Sequence, residues 1–353
     1  MIDSLVEAVR AAADSGKALR IRGGGTKDFY GQSLAGTVLD TRSHAGITSY
    51  APSELVLSAR AGTPLAEVAG LLEQRGQFLP FEPPEFASGT TLGGVVASGL
   101  SGPGRSARGA VRDFILGAHL LDGQGQVLRF GGQVMKNVAG FDVSRVLAGS
   151  LGTLGVILEV SLKVLPRPPV STTLRFDLSA GAALLKMSDW RALPLPITAS
   201  AWVDEVLTVR LSGSSASVAA GVARLGGAVV ESDEADAFWK DLRDHRAPFF
   251  KDPRPLWRLA LPASTTALGL SGSECYEWLG SLRWLSSELP GAQVRARAAT
   301  LGGHATLFRA PPEVKAQAGV FTRPSPTQAA IEARLRQAFD PHGIFNCGRV
   351  DAV

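Results

Sequence analysis

SGTTLGGVVASGLSGPGR, residues 88–105, is rich in glycine, serine and threonine, ends on one arginine and contains no carboxylate. Glycine costs folding entropy wherever it stands, so a chain concentrates it where backbone must turn with positive φ or lie against something that leaves no room for a side chain. Taken alone, the stretch reads as a turn-rich connector. It does not stand alone, because glycine-rich loops recur at 23–25, 89–104, 131–140 and, as GSLGTLG, at 149–155. Within the quoted stretch Leu92, Val95, Val96 and Gly99 fall at i, i+3, i+4 and i+7, which predicts a short helix opening at GTTLGG.

Three of these loops adjoin predicted strand or helix ends, where successive backbone N–H groups can converge on an anion. A phosphate-bearing ligand gives them a common cause. A Walker loop is disfavoured, since Gly16-Lys17 is followed by Ala18 and precedes a strand. GPGRSA at 102–107 matches the dinucleotide fingerprint in letters, but Pro103 lies inside it and no strand immediately precedes it. What remains is a ligand long enough to touch loops far apart in sequence, with a pyrophosphate and a broad planar group. FAD fits that description, and Gly24 and Gly93 are expected to leave paths for phosphate oxygens.

The 353 residues suffice for about two domains. Apolar content of 45% and charged content of 19% are those of an ordinary soluble globular protein. The net charge of +4 is scattered, which argues against a nucleic-acid face. MIDSLVEAVRAAADSG places Ile2, Leu5, Val6 and Val9 at helical spacing and reads as an amphipathic helix, not a signal peptide. No apolar run reaches the roughly 18 residues of a spanning helix. Cys275 and Cys347 form no CxxC pair, so no thiolate zinc site or iron-sulfur cluster is expected, and no metal is assigned. The expected location is the cytoplasm.

Along the chain, ALRI, TVLD, ITSY and ELVLSARA read as strands, followed by a helix with Thr63 as N-cap, Pro64 in its first turn and Gly76 past its end. FILGAHLLD and QVLRFG form a hairpin around Asp122–Gly125. GVILEVSLKVLP alternates as a half-buried strand, and PRPP at 166–169 closes the first domain. Beyond it, strand and helix patterns alternate as in an antiparallel sheet with helices on one face. The expected class is therefore α+β, with domains at 1–168 and 169–330 and a C-terminal segment, 331–353, returning to the first.

The series RIRGGGTKDFYG, PFEPP, ASGTTLGGVVASGLSGPGRSARGAVRDFILG, FGGQVMKNVAGFDVSRVLAGSLGTLGV and FDPHGIFNCGR resembles FAD-binding proteins of the vanillyl-alcohol-oxidase (PCMH) type. More narrowly, it is similar to the smaller FAD-binding subunits of bacterial glycolate oxidases, over nearly the whole chain. The resemblance implies a two-lobed FAD-binding domain with a cap domain, and non-covalent FAD. It implies that Arg22, Gly23, Gly24, Gly25, Thr26 and Lys27 cradle the pyrophosphate from one side and Thr90, Thr91, Gly93 and Gly94 from the other. Ser98, Ser101 and Arg105 would lie further along the flavin, Gly152, Gly155 and Ile157 near the adenine, and Asn346 and Arg349 at the flavin end. Implied partners are a larger FAD-binding oxidase subunit, an iron-sulfur subunit and a small 2-hydroxy acid, with membrane association only through the complex.

The chain departs from the family in three places. Leu151 stands where larger members carry an acidic residue, Cys347 replaces the proline of an NPG motif, and no HxGDGN-type metal segment is present. GGHATLFR at 302–309 is its nearest remnant. There His304 reads either as an acid-base residue, with Arg309 holding a substrate carboxylate, or as a structural histidine. Lys136-Asn137 reads as an isoalloxazine contact or as a tight turn. LRDHRAPFFKDPRPLWR, 242–258, reads as a solvated loop or as a partner-docking surface. Two functions stay open: a subunit whose flavin takes electrons from a 2-hydroxy acid, and a structural or relay subunit whose partner oxidises the substrate.

Overall fold

The computed structural model describes residues 2–132 and 142–350, and Lys136-Asn137 lies outside them. Two compact units emerge. The first contains the chain up to Leu100, Ala110–Pro166 and the segment from Arg323 onward, and the second contains Ser101–Gly109 and Arg167–Thr322. Pro166 thus ends the main run of the first unit, at the proline-rich stretch. Residues 101–109 go with the second unit, however, and the C-terminal return begins at Arg323, because the helix Pro326–Phe339 is one element that a boundary at 331 would divide.

The first unit has two lobes. In one, β1 (Leu19–Arg22) pairs in parallel with β2 (Thr37–Asp40). The opposite edge of β1 is taken by the C-terminal segment, since Leu19 N–H donates to Ile344 at 2.7 Å and Asn346 N–H donates back to Leu19 at 2.9 Å. The helix Ile2–Ser15 packs Leu5, Val9 and Ala12 against Leu19, Leu39, Ile344 and Phe345. The other lobe is a five-stranded antiparallel sheet in the order β3 (Ile47–Ala51), β4 (Val56–Arg60), β8 (Val156–Lys163), β6 (Ile115–Leu121), β7 (Val127–Gly131). A short pair, β5 (Gln77–Phe78) with β9 (Leu165–Pro166), completes the unit.

The sequence pattern makes β8 half-buried, but it is covered on both faces. Val156 and Leu158 join the core of the first lobe, while Ile157, Val160 and Leu162 join the core under the helices Leu65–Glu73 and Leu92–Ser98. A central strand between two cores has no solvent face. Each such fully buried aliphatic side chain contributes about 1.5–3 kcal/mol. The predicted cap also shifts: Pro64 is the N-cap of Leu65–Glu73, and the Thr63 hydroxyl instead accepts from Gly46 N–H at 2.9 Å.

The second unit is an eight-stranded antiparallel sheet formed by β10 (Val170–Asp177), β11 (Ile197–Val203), β12 (Val206–Gly213), β13 (Ala228–Val230), β14 (Leu256–Ala260), β15 (Ser273–Glu277), β16 (Leu282–Ser286) and β17 (His304–Arg309). Their order is β13-β10-β12-β11-β15-β16-β14-β17. The helices Ala180–Arg191 and Ser215–Leu225 cover one half through Leu184, Met187, Trp190 and Val218, and Gly291–Thr300 covers the other through Val294 and Ala298. Trp278, buried at the turn after β15, donates its indole N–H to Gly102 at 3.0 Å and so holds the 101–109 segment.

Candidate functional site

Four segments of the first unit meet around one cleft of about 790 Å3, counting its open mouth, within the size range of small-molecule sites. Its lining includes Arg22–Lys27, Thr91, Gly93, Gly94, Ser98, Gly152, Gly155, Ile157, Asn346 and Arg349, so most of the residues expected to hold FAD come together. Thr90 does not line it. Buried behind the wall, its hydroxyl sits 3.0 Å from that of Thr26 and donates to Ala87, so it positions Thr26. Ser101 and Arg105 belong to the second unit, where the Arg105 guanidinium lies 4.5 Å from the Trp278 ring centroid. Neither lines the cleft.

The glycines mainly let the loops abut one another. A Cβ on Gly24 would lie 1.7 Å from the Gly89 carbonyl oxygen, and one on Gly93 would lie 2.7 Å from the Ala61 Cβ. Gly99 likewise packs against Gly149 backbone, where the 149–155 loop docks through Gly149 N–H to Val96 and Leu151 N–H to Ala97. The expectation that Gly24 and Gly93 keep a path open for phosphate is therefore corrected: their missing side chains make room for protein. Gly94 differs, because a Cβ there would meet only the Thr91 hydroxyl, at 3.2 Å, with the cleft beyond.

Anion-binding capacity also divides unevenly between the two loops. At the start of the helix Leu92–Ser98, the N–H groups of Leu92, Gly93 and Gly94 are engaged by Thr63 O, Ala61 O and Thr91 Oγ1. In the first loop, by contrast, the N–H groups of Gly23, Gly24, Gly25 and Thr26 bond to no other described residue. Four consecutive donors at the wall of a cleft form the kind of backbone nest that receives phosphate oxygens. Around them stand Arg20, Arg22, Lys27 and Arg349, against a single carboxylate among the described residues, Asp28. Asp28 Oδ2 accepts from both Arg20 Nη2 and Arg22 Nε at 2.7 Å, and the Lys27 ammonium lies 5.6 Å from the Phe86 ring centroid. These residues fit a pyrophosphate.

Two expected flavin contacts have structural duties. Asn346 accepts from Ile21 N–H at 2.8 Å and donates to Leu151 O at 2.6 Å, bridging β1 and the 149–155 loop. Arg349, buried, donates to the carbonyls of Gln32, Lys27 and Asp28 at 3.0–3.1 Å. Burial lowers its pKa and Asp28 opposes the shift, while guanidinium stays protonated in proteins. Drawing these carbonyls toward Arg349 fixes the loop whose N–H groups line the cleft. Cys347 is exposed, with its thiol 2.7 Å from Gly343 O, and does not line the cleft.

Arg20 and Asp28 escaped the sequence reading, although a signal for Arg20 was present: it stands two residues before Arg22 on a strand and so shares its face. Asp28 was legible only as the lone acid beside that glycine loop.

In the second unit, His304 and Arg309 occupy opposite ends of β17, paired with Ala260 and Leu256. Five residue steps along the strand separate them by about 16 Å, so the strand does not bring them onto one small acid. His304 is exposed, and partial desolvation of the ring, with Arg258 second, lowers its pKa. In the 242–258 stretch, Phe249, Phe250 and Trp257 are buried. The aromatic anchors of a docking surface are thus core residues.

A family model described as FAD binding domain matches residues 2–131. Over 349 residues the chain is 44% identical to glycolate oxidase subunit GlcE of Escherichia coli (strain K12), across 99% of this chain and 97% of that protein. Glycolate oxidase subunit GlcD of Bacillus subtilis (strain 168) is 31% identical over 120 residues, 34% of this chain and 25% of the relative. A solved structure of alkyldihydroxyacetonephosphate synthase superposes with a TM-score of 0.66, across 98% of this chain and 75% of that one, at 15% identity, a likeness of fold. Among the described residues, no helix is long and apolar enough to cross a membrane.

Proposed function

Because the chain belongs to the family of glycolate oxidase subunit GlcE, we propose that it is the smaller flavin subunit of an assembly that oxidises a small 2-hydroxy acid. It is an FAD-binding oxidoreductase subunit of two-lobed α+β fold, with FAD bound non-covalently. The pyrophosphate is held by the Gly23–Thr26 N–H groups, with Arg22 and Lys27 supplying charge and Thr91, Gly94 and Ser98 forming the facing wall. The loop with Gly152, Gly155 and Ile157 closes the cleft on the side of β8. When bound, FAD accepts electron pairs and releases electrons singly or in pairs. The chain's own residues bind and orient it: Asn346 and Arg349 hold the loops in register, and Thr90 holds Thr26. The observation that carries this reading is the run of four N–H donors that bond to no acceptor among the described residues, in a cleft whose described lining has four cations and one carboxylate.

Within the assembly, this chain relays electrons while a larger flavoprotein subunit oxidises the acid. The separation of His304 from Arg309 along β17 favours the relay over direct oxidation, since a proton acceptor and a carboxylate clamp must meet on one substrate. Onward transfer falls to an iron-sulfur subunit, and the complex works in the cytoplasm, at the membrane only through its partners. The test is anaerobic addition of glycolate to the isolated FAD-loaded chain and to the complex with both partners. Slow or absent flavin reduction in the first and fast reduction in the second is expected. Rapid reduction of the lone chain, lost in His304→Ala, would overturn the relay and make His304 catalytic.

A further inference from the structure

A second cleft lies wholly within the second unit, between the turn after Phe250 and the end of β17, and encloses about 870 Å3 including its mouth. Pro253 and Pro311 stand on its two rims. Its charged lining is Lys251, Asp252, Arg254 and Arg309. Asp252 is committed to Arg254, whose Nε reaches both carboxylate oxygens at 3.1 Å and whose backbone N–H adds a bond of 3.0 Å. That pairing holds Asp252 well below the usual carboxylate range.

Arg309 has no such partner. Its guanidinium donates to the Phe250 carbonyl, but no carboxylate lies within ion-pair distance of it among the described residues. Desolvation lowers its pKa, and the longer-range field of Asp252 opposes the shift. The His245 ring next to it supplies no counter-charge: it lies flat on Phe250, with ring centroids 3.9 Å apart, and burial foremost, then Arg309 and Arg258, keeps it neutral. Lys251, exposed on the rim, adds a second cation without an ion pair among the described residues. A partly desolvated cation without a counter-ion carries a cost that a bound anion would relieve.

We propose that this cleft binds a small organic carboxylate, gripped by the guanidinium of Arg309 and attracted by Lys251. The planar fork of arginine matches a carboxylate, and its bond to Phe250 fixes its direction in advance. Pro253, Ala310 and Pro311 leave apolar surface for the rest of the ligand. This site is independent of the flavin cleft and of the relay assignment.

Saturation-transfer NMR with butanoate, on the FAD-loaded protein so that the flavin cleft is filled, tests it at constant ionic strength against chloride. Saturable binding in the millimolar range is expected, weakened about tenfold or more by Arg309→Gln and several-fold by Lys251→Ala, and unchanged by Lys17→Ala. Lys251 is exposed, so its variant keeps the test valid if Arg309→Gln fails to fold. Absence of saturation below about 50 mM, or equal binding by the parent and Lys251→Ala proteins, would overturn the proposal. So would equal loss in Lys17→Ala, which would mark general attraction to a basic protein.

Discussion

The side-chain amide of Asn346 donates to the carbonyl of Leu151 at 2.6 Å while its oxygen accepts from Ile21 N–H, so one side chain ties β1 to the 149–155 loop, 325 and 195 residues away in sequence. Leu151 and Asn346 both hold positive φ, 51° and 42°, which asparagine tolerates better than most residues. Asn346→Ala leaves both backbone groups without their partner, and the expected loss is about 2–4 kcal/mol of apoprotein stability. Urea unfolding of the two apoproteins measures it, and a change below about 0.5 kcal/mol would remove Asn346 as a tie.

Arg349 is expected to govern FAD retention through the loop it holds. Arg349→Met removes three bonds from a buried cation to loop carbonyls, and FAD affinity should fall at least about tenfold, given 1.5–3 kcal/mol per bond to a charged group. Arg349→Lys should not restore it, since one ammonium cannot reproduce the planar fork. Fluorescence titration of apoprotein with FAD decides, and full restoration by lysine would mean that charge alone matters.

Two glycines should behave in opposite ways. Gly24→Val drives a side chain into the Gly89 carbonyl, so the protein should fail to fold stably and not merely lose its flavin. At Gly94, in the first turn of a helix, a methyl meets one side-chain atom, the Thr91 hydroxyl at 3.2 Å, which must give by a few tenths of an ångström. The helix gain of about 0.5–1 kcal/mol is offset by that contact, so the apoprotein should fold and stay within about 1 kcal/mol of the parent, while FAD binding weakens because the methyl stands in the cleft. Thermal melts with and without FAD separate the two effects, and a Gly94→Ala protein that binds FAD as tightly as the parent would place the cofactor away from this wall.

His245 makes an acid-sensitive contribution. Its pKa lies well below the ordinary 6.5 in the fold, through burial first. The unfolded chain therefore binds a proton that the native state refuses, and stability is lost as pH falls through the unfolded pKa. Between pH 7.5 and 5.5 this one group therefore makes the protein progressively less stable. Urea unfolding of the parent and His245→Asn proteins at both pH values checks the difference in slope. Parallel pH dependence would show that the native ring protonates normally.

Much of the first unit was legible because its signals are local. The spacing of Leu92, Val95 and Val96 places the helix, and the proline-rich stretch after Val164 marks where the main run of the first unit ends. The recurrence of glycine in separate loops pointed to a shared cleft, and fifteen of the residues expected around FAD line it. Periodicity misjudged β8, since alternation on one strand does not reveal a second core on its other face.

By itself, then, the sequence determined where backbone is bare, where helices and strands begin, and which loops had to gather, because glycine spacing, caps and hydrophobic period act within a few residues. Tertiary structure alone decided what each bare stretch faces. Gly24 faces Gly89 and Gly94 faces the cleft, Arg349 spends its donors on loop carbonyls, residues 101–109 leave the unit that encloses them in sequence, and His304 and Arg309 end up a strand's length apart. Each of these outcomes depends on which distant backbone group arrives beside a residue, and a hydrogen bond or a close contact between segments hundreds of residues apart leaves no mark in the spacing of either one.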